Sequence, residues 1–399
     1  MASPTVAFGE LCARKATGNP NFINLGGGDV STSCPPGVVR DGALAHLSRP
    51  DPREPYPRVG GDTSKGGLVE AYRHFLWRQT GMGFKNSQVL VTPGAKQAFH
   101  LGVLALAKDY PGSCVLILKP AWPTFEERVQ AAGLTPIIID CNSDGSVNLT
   151  QLTHATSTYG TRIKGCIINN PRNPDGYVYS RNELEQIVTI VLGSCPDCIF
   201  LADEVYQLNL YEGETFVPLS TVLPPGARHL SFFSVSKAFA SAGFRLGFGS
   251  GDEQLINWMT EEASSTTGGV ATVCQRAALG ALSEEGLQFP GRLMATLQVY
   301  RDRVVAWASD TRFRVRIPRS TIYCCLDASD LIGRTVPSMR FATACDIAMF
   351  GVNHYDVAAM FGDPFGDPNM LRLNLAQVRD MDHLDEALRR LNALALAAD

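Results

Sequence analysis

Residues 229–250 read HLSFFSVSKAFASAGFRLGFGS, two short apolar runs separated by a polar stretch that carries Lys237. Runs that are apolar at both odd and even positions suit strands covered on both faces. Working outward, the same pattern recurs upstream. QVLVT precedes the helix-like KQAFHLGVLALAKDY, CVLILK precedes TFEERVQAAG, and TPIIID, KGCIIN, RNELEQIVTIVLG and CIFLADE follow. This alternation predicts an α/β fold whose large domain is built on a mostly parallel sheet, with its chemistry at strand ends. Downstream, GRLMATLQVYRDRVVAWASD and HLDEALRRLNALALAA read as helices, and FRVRIP and TIYCCLDAS as strands. They predict a smaller α+β domain to which the first residues return. The expected division is 46–290 for the large domain and 1–45 with 291–399 for the small one, with a substrate cleft between them.

A chain of 399 residues exceeds one ordinary core and suits two lobes. Hydrophobic residues at 45% and charged residues at 19% fit a packed enzyme rather than a disordered or fibrous chain. A net charge of -4 gives no reason to expect nucleic acid or an anionic membrane as partner. The first residues lack a basic start followed by an apolar stretch, and no apolar run is long enough to span a bilayer, so a cytoplasmic location is expected. The eleven cysteines have no framework spacing and read as reduced. Cys195 and Cys198 form one CxxC without a second ligand pair, so no metal is expected.

A lysine directly after a buried strand is unusual, because an isolated ammonium is costly there. An imine between Lys237 and an aldehyde supplies a reason to keep it, and a solvated surface lysine is the alternative. Ser234 and Arg245 could hold a phosphate, one by hydroxyl donation and the other by a charged fork. Asp203 ends the run IFLAD, where an acid needs either a cationic partner or access to water.

Three segments in this order, NNPRNPDG (169–176), LADEVY (201–206) and SVSKAFASAGFRLG (234–247), resemble those of the class I/II aminotransferases, pyridoxal 5'-phosphate (PLP) enzymes of fold type I. The resemblance runs from LGGGDV (25–30) to LRLNLA (371–376). It implies that Lys237 carries PLP as a Schiff base, that Asp203 pairs with the pyridine nitrogen, and that Asn173 and Tyr206 hydrogen-bond the phenolic oxygen. TPGAKQAFH (92–100) resembles the phosphate loop, which assigns the backbone amides of Gly94, Ala95 and Lys96 to the phosphate beside Ser234, Ser236 and Arg245. Trp122 in PAWPTF takes the place of the aromatic residue that stacks on the ring. Tyr56 in EPYPRVGG resembles the tyrosine that reaches the neighbouring subunit's cofactor, implying a homodimer with a shared active site. Arg372 matches the clamp for the substrate α-carboxylate, and Gly26, Gly27 and Gly28 match the segment that closes over the substrate, with Asn173, Gly27 and Gly28 also binding it.

The implied catalytic set is Lys237, Asp203 and Tyr206, and the implied substrate is an α-amino acid. Lys237 would remove the α-proton, giving a carbanion delocalised into the ring as a quinonoid. Amino transfer is the expected outcome. Asp175 where the family usually has Thr, PRSTIY (318–323) without its usual glycine, and HYDVAAMFGDP (354–364) without the usual Pro-Gly turn keep a second reading open. That reading is a specialised biosynthetic PLP synthase that eliminates, replaces, cyclises or forms a carbon–carbon bond. A non-catalytic effector-binding domain is a third reading and calls for a basic helix-turn-helix segment. SSTTGGVATVCQ (264–275) offers no arginine for a second substrate carboxylate, leaving Arg58 and Arg319 as the alternatives.

Overall fold

The computed structural model describes residues 4–31, 33–51, 53–337 and 339–399. Its centre is a seven-stranded sheet made of β1 (Val89–Thr92), β2 (Cys114–Leu118), β3 (Thr135–Ile139), β4 (Ile163–Asn169), β5 (Ile199–Asp203), β6 (His229–Ser234) and β7 (Gly247–Gly251). The spatial order is β1-β7-β6-β5-β4-β2-β3, and every pairing is parallel except those of β7, which runs antiparallel to both neighbours. Strands β1 and β2 are buried throughout, as expected for runs apolar on both faces. Leu230, Phe232 and Leu201 pack with Phe99 and Met259 on one face, while Phe200, Ile168 and Cys166 pack with Ile187 and Val191 on the other.

The helices between the strands start where local chemistry satisfies their first amides. Ser180 and Glu183 form a reciprocal cap on Arg181–Ser194, and Asp252 accepts from Gln254 N and Leu255 N to start Glu253–Thr266. The helix Ala95–Asp109 follows β1 directly, and Gly247 on β7 is what lets it begin there. A Cβ at Gly247 would sit 2.2 Å from the Ala95 nitrogen.

A second, antiparallel sheet holds Met360–Phe361, Met370–Asn374, Tyr323–Asp327 and Arg314–Val315 in that order. The helices Phe289–Ala308, Ala344–His354 and Met381–Leu396 contribute Leu297, Ile347 and Leu388 to its core. Near the N-terminus, Ile23–Asn24 pairs in parallel with Val357–Ala358, and Phe8 of the helix Pro4–Gly18 packs edge-on against Phe361. The helix Gly37–Leu47 instead lies against Thr272–Ala281. Of FRVRIP, only Arg314–Val315 is strand. The helix Leu149–Tyr159 lies between β3 and β4, where Thr150, Thr153, Ser157, Thr158 and Tyr159 mask a buried face of Leu152, Ala155 and Thr156.

Candidate active site

The C-terminal ends of β1, β2, β4, β5 and β6 open onto one cavity of about 610 Å³. Its lining includes Gly94, Ala95, Lys96, Trp122, Asn173, Asp203, Tyr206, Ser234, Ser236, Lys237 and Arg245, together with Gly26, Gly27, Gly28 and Arg372 from beyond the seven-stranded sheet. Of the site residues expected from sequence, Tyr56 alone is elsewhere. It is fully exposed beside a surface hollow shared with Arg58 and Gln275.

Lys237 lies in the single helical turn Val235–Ala238, and its Nζ donates to the Gly28 carbonyl. Asp203 accepts the Val205 N–H at 3.2 Å, and among the described residues no cationic side chain pairs with it. Burial with one weak donor pushes its carboxyl up to about 7, although its edge remains accessible from the cavity.

At the end of β1 the cavity is lined by a turn and a helix start. Gly94 has φ +87°, and a Cβ there would meet Arg245 Nη2 at 2.6 Å, so glycine lets the guanidinium reach the start of the helix Ala95–Asp109. Arg245 has φ +49° and donates from Nη1 to the Ala242 carbonyl at 2.9 Å. A non-glycine residue held in this region is a sign of constraint at a site. Ser234 caps the Lys237 turn by accepting Ser236 N–H and also contacts Leu246 O and Ser236 Oγ, so its hydroxyl is used within the chain. Lys96 Nζ sits 5.1 Å from the centre of the Trp122 ring, which meets Phe125 edge-on.

Arg372 occupies the middle of Met370–Asn374, opposite Cys325 and Met360. It is 5% exposed, with its guanidinium 3.9 Å from the Tyr323 ring centre and 4.7 Å from that of Phe365. Nη1 donates to Asn173 Oδ1 at 2.8 Å, while the buried Nε has no partner among the described residues. A buried, partly unpaired guanidinium facing a cavity is suited to an anion. Since Arg372 takes the Asn173 carbonyl oxygen, the Asn173 amide NH₂ is the group left to donate to a ligand.

Several lining residues escaped the sequence reading. Tyr323 shares a 3.1 Å hydroxyl–hydroxyl hydrogen bond with Tyr206, and Gln377 accepts Gly27 N–H at 2.9 Å. Asn374 donates to Gly27 O and Asp29 O, tying the glycine segment to the strand of Arg372. Thr5, Gly9 and Ala13 of the N-terminal helix line the outer cavity. The signal for Gln377 and Asn374 lay in the run LRLNLAQ, and Tyr323 stood at the end of the noted PRSTIY; the helix had no motif. Arg319 is held by Glu214 and Val178 O, away from the cavity. Cys195 and Cys198 are buried, Cys195 Sγ lies 3.1 Å from Gly160 O, and burial raises both thiols. Among the described residues, no helix is long and apolar enough to cross a membrane.

Comparison with known proteins agrees with this geometry. The family model for aminotransferase class I and II matches residues 20–391. The chain is 29% identical to an aspartate/prephenate aminotransferase of Nitrosomonas europaea, over 98% of this chain and 96% of that one. It is 28% identical to an aspartate aminotransferase of Rhizobium meliloti, over 96% and 91%. A crystal structure of the aspartate aminotransferase from Rhizobium meliloti superposes with a TM-score of 0.88 at 25% identity, over all of both chains. N-succinyldiaminopimelate aminotransferase from Mycobacterium tuberculosis superposes at 0.85 and 25% identity, over 99% of this chain and 97% of that one. A match over nearly the whole length, together with a cavity suited to a phosphate, a cationic ring and a carboxylate, assigns the chain to the class I and II aminotransferases, which use pyridoxal 5'-phosphate.

Proposed function

We propose that this aminotransferase moves the amino group of an α-amino acid to a 2-oxo acid, with Lys237 as cofactor anchor and proton carrier and Arg372 as carboxylate clamp. The single observation that carries the reading is the pairing of Lys237 with a buried, partly unpaired Arg372 across one cavity. When bound, PLP supplies an aldehyde for the lysine and an electron-withdrawing ring that takes up charge from the substrate α-carbon.

The remaining roles belong to the chain. The Ala95 and Lys96 amides at the helix start, the Ser236 hydroxyl and Arg245 hold the phosphate, with Gly94 keeping the approach open. The Asp203 carboxylate would pair with the ring nitrogen and hold its proton. Tyr206 and the Asn173 amide would donate to the phenolic oxygen, and Trp122 would cover one face of the ring. With the donor carboxylate on Arg372, Lys237 Nζ would take the proton from the α-carbon and deliver it two atoms along, beyond the amino nitrogen. Gly27 and Gly28 close over the substrate, excluding water. Ser234 supports Lys237 by capping its turn.

The names of the relatives favour transfer over elimination, cyclisation or carbon–carbon bond formation, and they make aspartate the first donor to assay. We further propose a homodimer in which the exposed Tyr56 enters the partner's cavity. The two-lobe division at 46–290 is part of the same reading, except that the helix Gly37–Leu47, packed on Thr272–Ala281, goes with the large lobe. Eleven free cysteines support a reducing, cytoplasmic setting.

The test is a single-turnover mixture of cofactor-loaded enzyme and aspartate, analysed by mass. One oxaloacetate formed per amino group retained on the cofactor supports the proposal for this donor. If no amino acid in a panel yields its 2-oxo acid, the reading fails.

A further inference from the structure

The turn 172–177, which carries Asn173, is closed by a buried ion pair. Arg172 Nε donates to Asp175 Oδ1 at 2.9 Å, and a second guanidinium nitrogen meets Asp175 Oδ2. Arg172 is 1% exposed and Asp175 5%. The rest of the guanidinium is also used: Nη1 donates to Tyr179 Oη at 3.1 Å and Nη2 to Gly145 O at 2.9 Å, with the plane over the Tyr177 ring at 4.7 Å. The backbone closes the same loop through Arg172 N to Tyr177 O and Gly176 N to Arg172 O, each 2.9 Å.

Asp175 also reaches the segment leading into Tyr323–Asp327. Arg316 Nη1 lies 3.3 Å from Asp175 Oδ2, and its Nη2 donates to Ser143 O at 2.7 Å. Ser320 Oγ donates to Gly176 O at 3.0 Å, and Cys325 Sγ to Pro174 O at 3.2 Å. Thr321, in the left-handed region at φ +69°, sits within this seam and donates its N–H to Asn209 O. A β-branched residue there is held by its surroundings. Cys325 is also the register partner of Arg372, and Arg372 is hydrogen-bonded to Asn173. The ion pair thus sits at the join between two groups, one proposed to face the cofactor and the other the substrate.

We infer that Arg172, Asp175 and Arg316 form a positioning triad that presets Asn173 and Arg372 relative to each other, so that cofactor tuning and carboxylate binding share one support. The inference rests on the roles assigned above to Asn173 and Arg372. Replacing the whole buried pair Arg172–Asp175 costs little net stability, whereas losing one partner leaves the other charge unpaired in a dry setting, so the pair's contribution is chiefly to geometry. A small displacement of a pre-set group is enough to lower affinity by a large factor.

The test uses cofactor-loaded parent protein, Asp175→Asn, Arg316→Met and the double variant Arg172→Met/Asp175→Thr. Two quantities are measured: the pH midpoint of the yellow absorbance band, and the dissociation constant of 2-methylalanine, an amino acid without an α-hydrogen. In Asp175→Asn the midpoint moves by about half a pH unit or more and the probe binds roughly tenfold more weakly. Arg316→Met, which removes the half-exposed partner and spares the buried pair, moves both in the same direction, with roughly threefold weaker binding. The double variant removes both buried charges, folds at least as well as Asp175→Asn, and still shows the shift. If Asp175→Asn does not fold, the other two variants decide. Variants that lose only melting temperature, with parental midpoint and affinity, overturn the inference. A parent without a yellow band or probe binding refutes the underlying function instead.

Discussion

Replacing Arg372 with alanine separates substrate binding from cofactor binding. The guanidinium lies between the Tyr323 and Phe365 rings, gives one N–H to Asn173 and leaves its Nε without a partner among the described residues. A carboxylate held by two charge-assisted hydrogen bonds gains about 1.5–3 kcal/mol from each, roughly 3–6 kcal/mol in all. At about 1.4 kcal/mol per decade, Arg372→Ala weakens amino-acid binding by roughly 10²–10⁴-fold. Cofactor affinity changes by less than about threefold, because in the proposed site Arg372 reaches the cofactor only through Asn173. Arg372→Lys keeps the charge without the planar fork and recovers only part of the loss. The assay is an equilibrium titration of the loaded enzyme with 2-methylalanine, paired with titration of the cofactor-free protein with PLP. An amino-acid loss under about fivefold, or equal losses for both ligands, would refute the clamp.

Further expectations come from the same geometry. Gly94→Ala places a Cβ 2.6 Å from Arg245 Nη2 at a positive φ, so PLP affinity should fall by at least about tenfold; unchanged affinity in a PLP titration counts against the phosphate assignment. Burial pushes Asp203 and Glu204 up to about 7. Their unfolded counterparts ionise near 4, so the stability tied to their protonated forms is fully present below that range and is lost as pH rises through about 7. Bound PLP gives Asp203 a cationic partner, so melting temperature should fall less between pH 5 and 8 for the loaded protein than for the cofactor-free one. Identical profiles would contradict that pairing. Mixing Tyr56→Phe with Lys237→Ala protein should restore part of the activity if the site is shared between subunits; no recovery after verified subunit exchange would remove Tyr56 from it.

The parallel sheet was legible because its strands are apolar on both faces and the helices between most of them keep a helical pattern. Lys237, Asp203, Asn173 and the Gly94 turn follow strand ends, and so sequence order alone brought them to one edge. Tyr323 and Gln377 were harder to find, since each reaches the cavity only through pairing within the second sheet and the link from Asn374 to the glycine segment. The helix Pro4–Gly18 gave no motif because it lines the cavity with small residues, Thr5, Gly9 and Ala13. Asp175 read as a departure from the family pattern. Its meaning emerged only with Arg172 folded back onto it and Arg316 brought in from far along the chain. The missing glycine in PRSTIY has a similar account, with Thr321 taking the left-handed conformation inside a seam of backbone hydrogen bonds.

The central claim is that Lys237 carries the cofactor that accepts the amino group. Borohydride reduction of the yellow protein, followed by peptide mass mapping, tests it directly. The account predicts a phosphopyridoxyl mass on Lys237, absent when the protein is first incubated with excess donor amino acid. A modification on another lysine, or none in yellow protein, would contradict it.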